Sequence, residues 1–433
     1  MRRRSLLAAG GMLMPGVAAA QVRPAVVASP LPVAAPDAVG LSPQRLAQVT
    51  EVLAATVAEG RINGAVLGVA RQGKLGWLRA VGFRDSGQAE ALRPDAIFPL
   101  GGMTRALAAV AAVAAVAAMV LVERGRLKLS DPVAAHLPAF REMKVAVETR
   151  KEDGTVEVAL ERARRPITVH DLLRQTAGFT EAEAVPETGV GRLYAEAGVQ
   201  APDKTLAEAM EALARLPLLR QPGAMWEEQV AADVLARVVE VVSGTGFDRF
   251  LAREVTGPWR MADTAHAVPA AALGRVAWPR MDPLTGALPP QRDLAVARMG
   301  GSTGLYGTAG DLLRFGQGML AGGILDGVRV LGAGTVSHMA SDHLGRISRD
   351  SPSGQAWLGE GRGYGLGFAV RLGDGVNALP GSAGDYDGAG TDGALFVVDP
   401  ARELVAVLLV NQANQFGHVF PLFRTLVYQT LAR

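Results

Sequence analysis

No cysteine occurs in the 433 residues. That excludes disulfides, a thiolate nucleophile, cysteine-ligated zinc and a cysteine-borne lipid anchor. The core must therefore stand without covalent staples, which a chain of this length can manage. Lysine is scarce as well. The five present (Lys74, Lys128, Lys144, Lys151 and Lys204) never follow a serine by three residues, so no Ser-x-x-Lys pair exists. Aromatic residues make up only 5%, and no long basic run follows the first four residues. Without basic stretches interleaved with aromatics, the sequence argues against a nucleic-acid partner. Basic and acidic residues nearly cancel, at 44 against 42, so neither sign marks out a class of partner. The six histidines are scattered with no paired ligand spacing, and neither a metal nor a cofactor is inferred.

What is present begins with an address. Arg2-Arg3-Arg4 precede a mildly apolar stretch that ends in Ala18-Ala19-Ala20, a small-residue cleavage pattern. Residues 1–20 read as a twin-arginine-like signal peptide, with the mature chain periplasmic or secreted. Residues 21–38, rich in proline and alanine, suit an extended linker, and ordered structure is expected from about residue 39. From Ala106 to Val122 no side chain is polar. Alanine dominates that run and Arg105 and Glu123 bound it, so it predicts a buried core helix rather than a stable membrane span.

Both ends of the chain favour strands. Ala65–Ala70 and Leu75–Val81 flank a turn at Gln72-Gly73, and Ala394–Val398 and Leu404–Val410 flank Asp399-Pro400. Ser42 caps a first helix through Pro43, and a last helix is expected from about Phe416 to Leu431. The middle reads as helical over 106–124, 168–174, 205–215, 230–243 and 246–254, with another helix at 308–321. The expected fold class is α+β. An antiparallel sheet is built from both chain ends (about 39–100 and 300–433) and flanked by terminal helices, with a mostly helical region (about 101–299) inserted.

Several blocks then identify a resemblance. They include Val39-Gly40-Leu41-Ser42-Pro43, Ile167-Thr168-Val169-His170-Asp171-Leu172-Leu173, Val238-Val239-Glu240-Val241-Val242-Ser243-Gly244 and Tyr364-Gly365-Leu366-Gly367-Phe368. In order and spacing they resemble the serine β-lactamase-related family of class C β-lactamases, penicillin-binding DD-peptidases and β-lactamase-like esterases. The resemblance covers about 39–433 and implies a single domain of that fold. It also implies three catalytic elements: a Ser-x-x-Lys pair at the start of a buried helix, a Tyr-x-Asn or Tyr-Ser motif, and a Lys/His/Trp-x-Gly strand.

This sequence departs from all three. At the first element it reads Gly102-Met103-Thr104-Arg105. Glycine offers no nucleophile, and arginine stays protonated and cannot act as the base. At the second, Glu228 and Gln229 in the Trp226-Glu227-Glu228-Gln229 run occupy the tyrosine and serine positions. Arg105 and Glu228 are expected to face each other as an ion pair. At the third, the aromatic position falls on Gly388 by ungapped counting or on Tyr386 after a two-residue shift, with Gly390 keeping the strand edge open. About six residues more than the family pattern separate Arg105 from Gly125, coinciding with the Val-Ala-Ala run. No catalytic residue is intact on this reading. Gly102, Arg105, Glu228, Tyr386, Gly388 and Gly390 are the candidate ligand-binding positions. The expected ligand is a small ester or amide, or a fragment of peptidoglycan. The alternative is an active serine hydrolase using Ser302, since Gly300-Gly301-Ser302-Thr303-Gly304 matches the Gly-x-Ser-x-Gly nucleophile elbow.

Overall fold

Ser42 ends an extended segment and accepts the Arg45 N–H at 3.3 Å, while Pro43 presets the first helical turn. The computed structural model describes residues 29–432 apart from 86, 88–89, 101–107, 153–155, 183–184, 186–187, 200, 202–203, 228–229, 280–293, 295–299, 302–303, 391–392, 414 and 416. Helix α1 (Pro43–Ala58) leads into the hairpin β1 (Gly64–Arg71) and β2 (Lys74–Gly82), then the short β3 (Phe98–Pro99). The middle opens with α2 (Ala108–Glu123) and α3 (Val133–His136), followed by a second hairpin, β4 (Lys144–Arg150) and β5 (Val156–Arg162). Helices α4 (Val169–Leu173), α5 (Gly189–Ala197), α6 (Leu206–Leu213), α7 (Ala231–Ser243) and α8 (Phe247–Leu251) complete it. After β6 (Tyr306–Gly307) come α9 (Ala309–Leu320), the small hairpin β7 (Ile324–Leu325) and β8 (Val328–Arg329), then α10 (Ala333–Met339) and α11 (Pro352–Trp357). The chain closes with β9 (Arg362–Tyr364), β10 (Ala369–Arg371), β11 (Tyr386–Ala389), β12 (Ala394–Asp399), β13 (Leu404–Val410) and α12 (Val419–Gln429).

The main sheet runs β2-β1-β13-β12-β11-β10-β9, with each neighbouring pair antiparallel. Its second and third strands join the two ends of the chain, with Ala65 opposite Val410 and Arg71 opposite Leu404. One face packs against α1 and α12 through Leu46, Leu53, Phe423 and Val427. The other packs against α9 through Leu312 and Phe315 and, at β11 and β12, against α2, on which α7 packs in turn. The α+β class and the sheet drawn from both chain ends are as expected.

Two expectations change. The region read as helical contains the β4–β5 hairpin, and the stretch read as linker is packed from Leu31 onward. Leu31 is buried, the Ala34 N–H donates to the Leu75 carbonyl at 3.0 Å, and the Leu75 N–H donates to Pro32 at 2.8 Å. This strap pairs with the start of β2 at Leu75, on the edge that the sheet would otherwise leave unpaired there.

Helix α2 is apolar on every side, as a helix surrounded by protein must be. Ala112 to Leu121 are all essentially inaccessible. Its alanines admit close neighbours: a Cβ on Gly367, itself at φ +92°, would lie 2.6 Å from the Ala115 Cβ. Among the described residues no helix is long and apolar enough to cross a membrane.

Candidate functional site

Segments far apart in sequence meet around the C-terminal end of β11. The Leu100 N–H donates to the Leu305 carbonyl at 2.8 Å, tying the approach to α2 to the approach to α9. The Leu100 carbonyl lies 3.1 Å from where a Cβ on Gly390 would be. The Glu227 N–H donates to Gln175 at 3.1 Å, which joins the stretch before α7 to the end of α4. A Cβ on Gly301 would overlap the Ala232 carbonyl in the first turn of α7, so only glycine fits there. Gly102, Arg105, Glu228 and Ser302 lie outside the described residues, as does the expected pairing of Arg105 with Glu228.

Strand alternation settles where Tyr386 points. Its ring is buried with Phe368, centroids 5.2 Å apart, and burial pushes its phenol pKa up. Gly388, two residues on, shares that core-facing side and stands opposite Phe396. Tyr386, expected as a ligand-facing residue, therefore belongs to the core. The cavity beside this strand is instead lined by the alternate residues Asp387 and Ala389. Gly390 donates its N–H to Ala394 at 2.6 Å and closes the turn into β12.

The cavity measures about 320 Å³. Its lining includes Gln175, Trp226, Trp357, Arg362, Asp387 and Arg424, and Trp226 stacks beside Tyr364 with ring centroids 5.3 Å apart. Beneath it runs a ladder of buried charges. Arg362 donates to Asp387 Oδ2, and Arg424 donates to the same oxygen at 2.7 Å. Arg424 also reaches Asp385 Oδ2 at 2.5 Å, which accepts from Arg371 Nε at 2.8 Å. Arg362, Arg371 and Arg424 belong to no motif the sequence displays, and Asp385 and Asp387 enter only as unremarked neighbours of Tyr386 in the third element. Their only signal is Arg362 and Arg371, and Asp385 and Asp387, at alternate or opposed strand positions.

Glu227, beside position 228, is almost inaccessible, and burial pushes its pKa up to about 7 against the pull of Arg220 at 4.0 Å. Beyond the cleft, Asp171 caps α4 and accepts from Arg165, Arg174 and Thr168. Burial alone would raise its pKa, but these bonds hold it well below the usual carboxylate range. Among the described residues no cluster of three or more histidine, aspartate or glutamate side chains is arranged to hold a metal.

Gly304 takes φ +83°, then Tyr306–Gly307 forms β6, and α9 starts only at Ala309, capped by Thr308. A nucleophile elbow needs its helix to follow the serine directly. Here an extended segment intervenes.

A two-ended antiparallel sheet with an apolar helix against it and a cleft at the end of β11 make up the serine β-lactamase-like fold. The chain belongs to the β-lactamase family, whose model matches residues 49–424. It is 31% identical over 366 residues to protein Rv1367c of Mycobacterium tuberculosis, covering 81% of this chain and 86% of that one. It is 29% identical over 393 residues to esterase EstB of Burkholderia gladioli, covering 85% and 91%. Among solved structures it is similar to EstCE1, a hydrolase with promiscuous acyltransferase activity. The TM-score is 0.73 at 25% identity, over 89% of this chain and 99% of that one.

Proposed function

We propose that this protein is an exported member of the family that binds a ligand in its cleft without covalent catalysis. One observation carries the reading: Gly102 and Arg105 stand where the family has its nucleophile and base. Removing the nucleophile alone costs on the order of a millionfold in rate. The arginine strikes the same step, because a permanently protonated guanidinium cannot accept the serine proton. Glu228 at the tyrosine position removes the remaining acid/base partner. The names of EstB and EstCE1 point to esters and acyl groups, so the retained ligand is a small ester or amide, or a cell-wall fragment of similar chemistry. The address in residues 1–20 supports a periplasmic or secreted site of action.

The decisive experiment treats the mature protein with a fluorophosphonate and with a fluorescent penicillin, followed by intact-mass and peptide mass spectrometry. No covalent adduct is expected at any residue. An adduct mapped to Ser302 would establish the alternative hydrolase. The extended segment after Gly304 and the close approach at Gly301 favour an ordinary conformational loop there.

A further inference from the structure

Three histidines that stand apart in the sequence meet outside the cleft. His170 on α4 places its Nε2 at 2.9 Å from His343 Nδ1, and His343 Nε2 lies 2.8 Å from the carbonyl of His338 on α10. A carbonyl only accepts, so His343 carries a proton on Nε2 and, when neutral, offers a lone pair at Nδ1. His170 Nε2–H is therefore the donor of the pair. A proton added to His343 enters at Nδ1 and sets donor against donor. A proton added to His170 enters at its own Nδ1 and leaves the bond in place.

The surroundings oppose a further positive charge. From α4 come Arg174, which donates to the His343 carbonyl at 3.1 Å, and Asp171, already paired with Arg165 and Arg174. From α10 comes His338, its ring centroid 4.6 Å from that of His343. The loop after α10 contributes Asp342, paired with Arg349 at 3.6 Å. On the stretch leading to α4, the Asp131 carboxylate is turned to His136 and the Lys128 N–H. Facing the pair, Arg165, Arg174 and Arg349 outnumber Asp171 and Asp342. Burial is the main cause that pushes both rings' pKa values down, that of His170 to about 4, and the charge of Arg174 adds to it.

What the pair holds is the segment 341–361. At its root, the bonds of His343 to His170 and Arg174 tie it to α4. Further on, the Trp226 N–H donates to the Ser348 carbonyl at 2.8 Å and the Ser351 hydroxyl donates to the Trp226 carbonyl at 2.7 Å. Beyond that crossing, Trp357, Leu358 and Gly359 line the cavity. We propose that His170 and His343 form an acid-released latch: protonation of His343 frees the root of this segment from α4 and loosens the cavity wall that carries Trp357. Released imidazoles titrate near 6.5 and the latched ones lower. The latch is therefore at full strength above about pH 6.5 and is lost as pH falls from there towards 4. It concerns the wall and not the chemistry of the cleft, so a fluorophosphonate adduct would overturn the proposed function and leave the latch standing.

The test is hydrogen–deuterium exchange of the mature chain, read by mass spectrometry at pH 7.5 and 5.0 with labelling times scaled for the intrinsic rate. Peptides from 341–361 are expected to lose roughly tenfold or more of their protection at pH 5.0, while those from β1, β12 and β13 keep theirs. His343→Asn puts a carboxamide oxygen where Nδ1 stood and takes up no proton, so its segment should be equally protected at the two pH values. Histidine-selective ¹⁵N spectra of the wild type decide the matter if that variant is unprotected at both. They should show residue 343 as the Nε2–H tautomer, titrating below 6.5. Unchanged protection of 341–361 in the wild type, equal loss throughout the sheet, a pH response retained in His343→Asn, or an Nδ1–H tautomer at residue 343 overturns the inference.

Discussion

A serine restored at position 102 would meet a guanidinium at position 105 in place of an amine. Gly102→Ser alone is therefore expected to give negligible turnover of a p-nitrophenyl ester, because no group takes the hydroxyl proton. Gly102→Ser with Arg105→Lys should be clearly faster, measured as kcat/KM on the same ester. Equal rates would show that residue 105 does not stand at the base's place. Gly301 is governed by space instead of chemistry. Gly301→Ala should destabilise the protein by about 1–3 kcal/mol in denaturant unfolding, because the new methyl group meets a backbone carbonyl of α7 that cannot swing aside. At this scale the sequence exposes substitutions within known motifs, since the flanking Met103 and Thr104 hold the register. It could not expose the arginine–aspartate ladder, whose members are ordinary charged residues until the sheet pairs Arg371 with Arg362 and sets Asp387 beside them. It also could not choose between Tyr386 and Gly388, since which way a strand residue points depends on which face the core covers.

Helix α4 shows how a short element is held by one carboxylate. Asp171 returns bonds to the Thr168 N–H at 3.0 Å and hydroxyl at 2.8 Å, and it receives Arg165 and Arg174 at 2.9 Å each. Asp171→Asn is expected to cost about 3 kcal/mol at pH 7, because it leaves two guanidiniums facing a neutral amide. The carboxyl pKa is depressed in the folded protein, so its contribution is complete above the ordinary carboxylate range and is lost as pH falls through and below that range. The wild type should thus lose more unfolding free energy between pH 7 and pH 3 than Asp171→Asn does. Elements were legible wherever apolar runs were long, as in β1, β12, β13 and α2. Strands β9 and β10 were not, being only three residues long with an arginine at one end, and β11 was placed by the resemblance alone. The β4–β5 hairpin was hidden for a related reason. Its valines are mixed with alanine, lysine and glutamate, and Val147 and Leu160 are exposed, so neither a long apolar run nor a clean alternation marks it.

The whole molecule depends on its N-terminal strap. Leu31 lies in the core, and Arg314 donates to the Pro30 carbonyl at 2.5 Å. A chain beginning at Gly40 is therefore expected to be less stable than one beginning at Gln21. The deficit should be about 3 kcal/mol or more from the lost burial of Leu31 and Val39 alone, and chemical denaturation of the two chains would measure it. The sheet's pairing of Ala65 with Val410 also sets a schedule. At ordinary synthesis rates, β1 leaves the ribosome on the order of half a minute before its partner β13 exists. Throughout that interval one edge of an almost wholly apolar strand stands open, available to any other strand it meets. A chain that stops short of β13 can never close that edge, so a nonsense codon before codon 404 would yield an aggregating product and not a shortened protein.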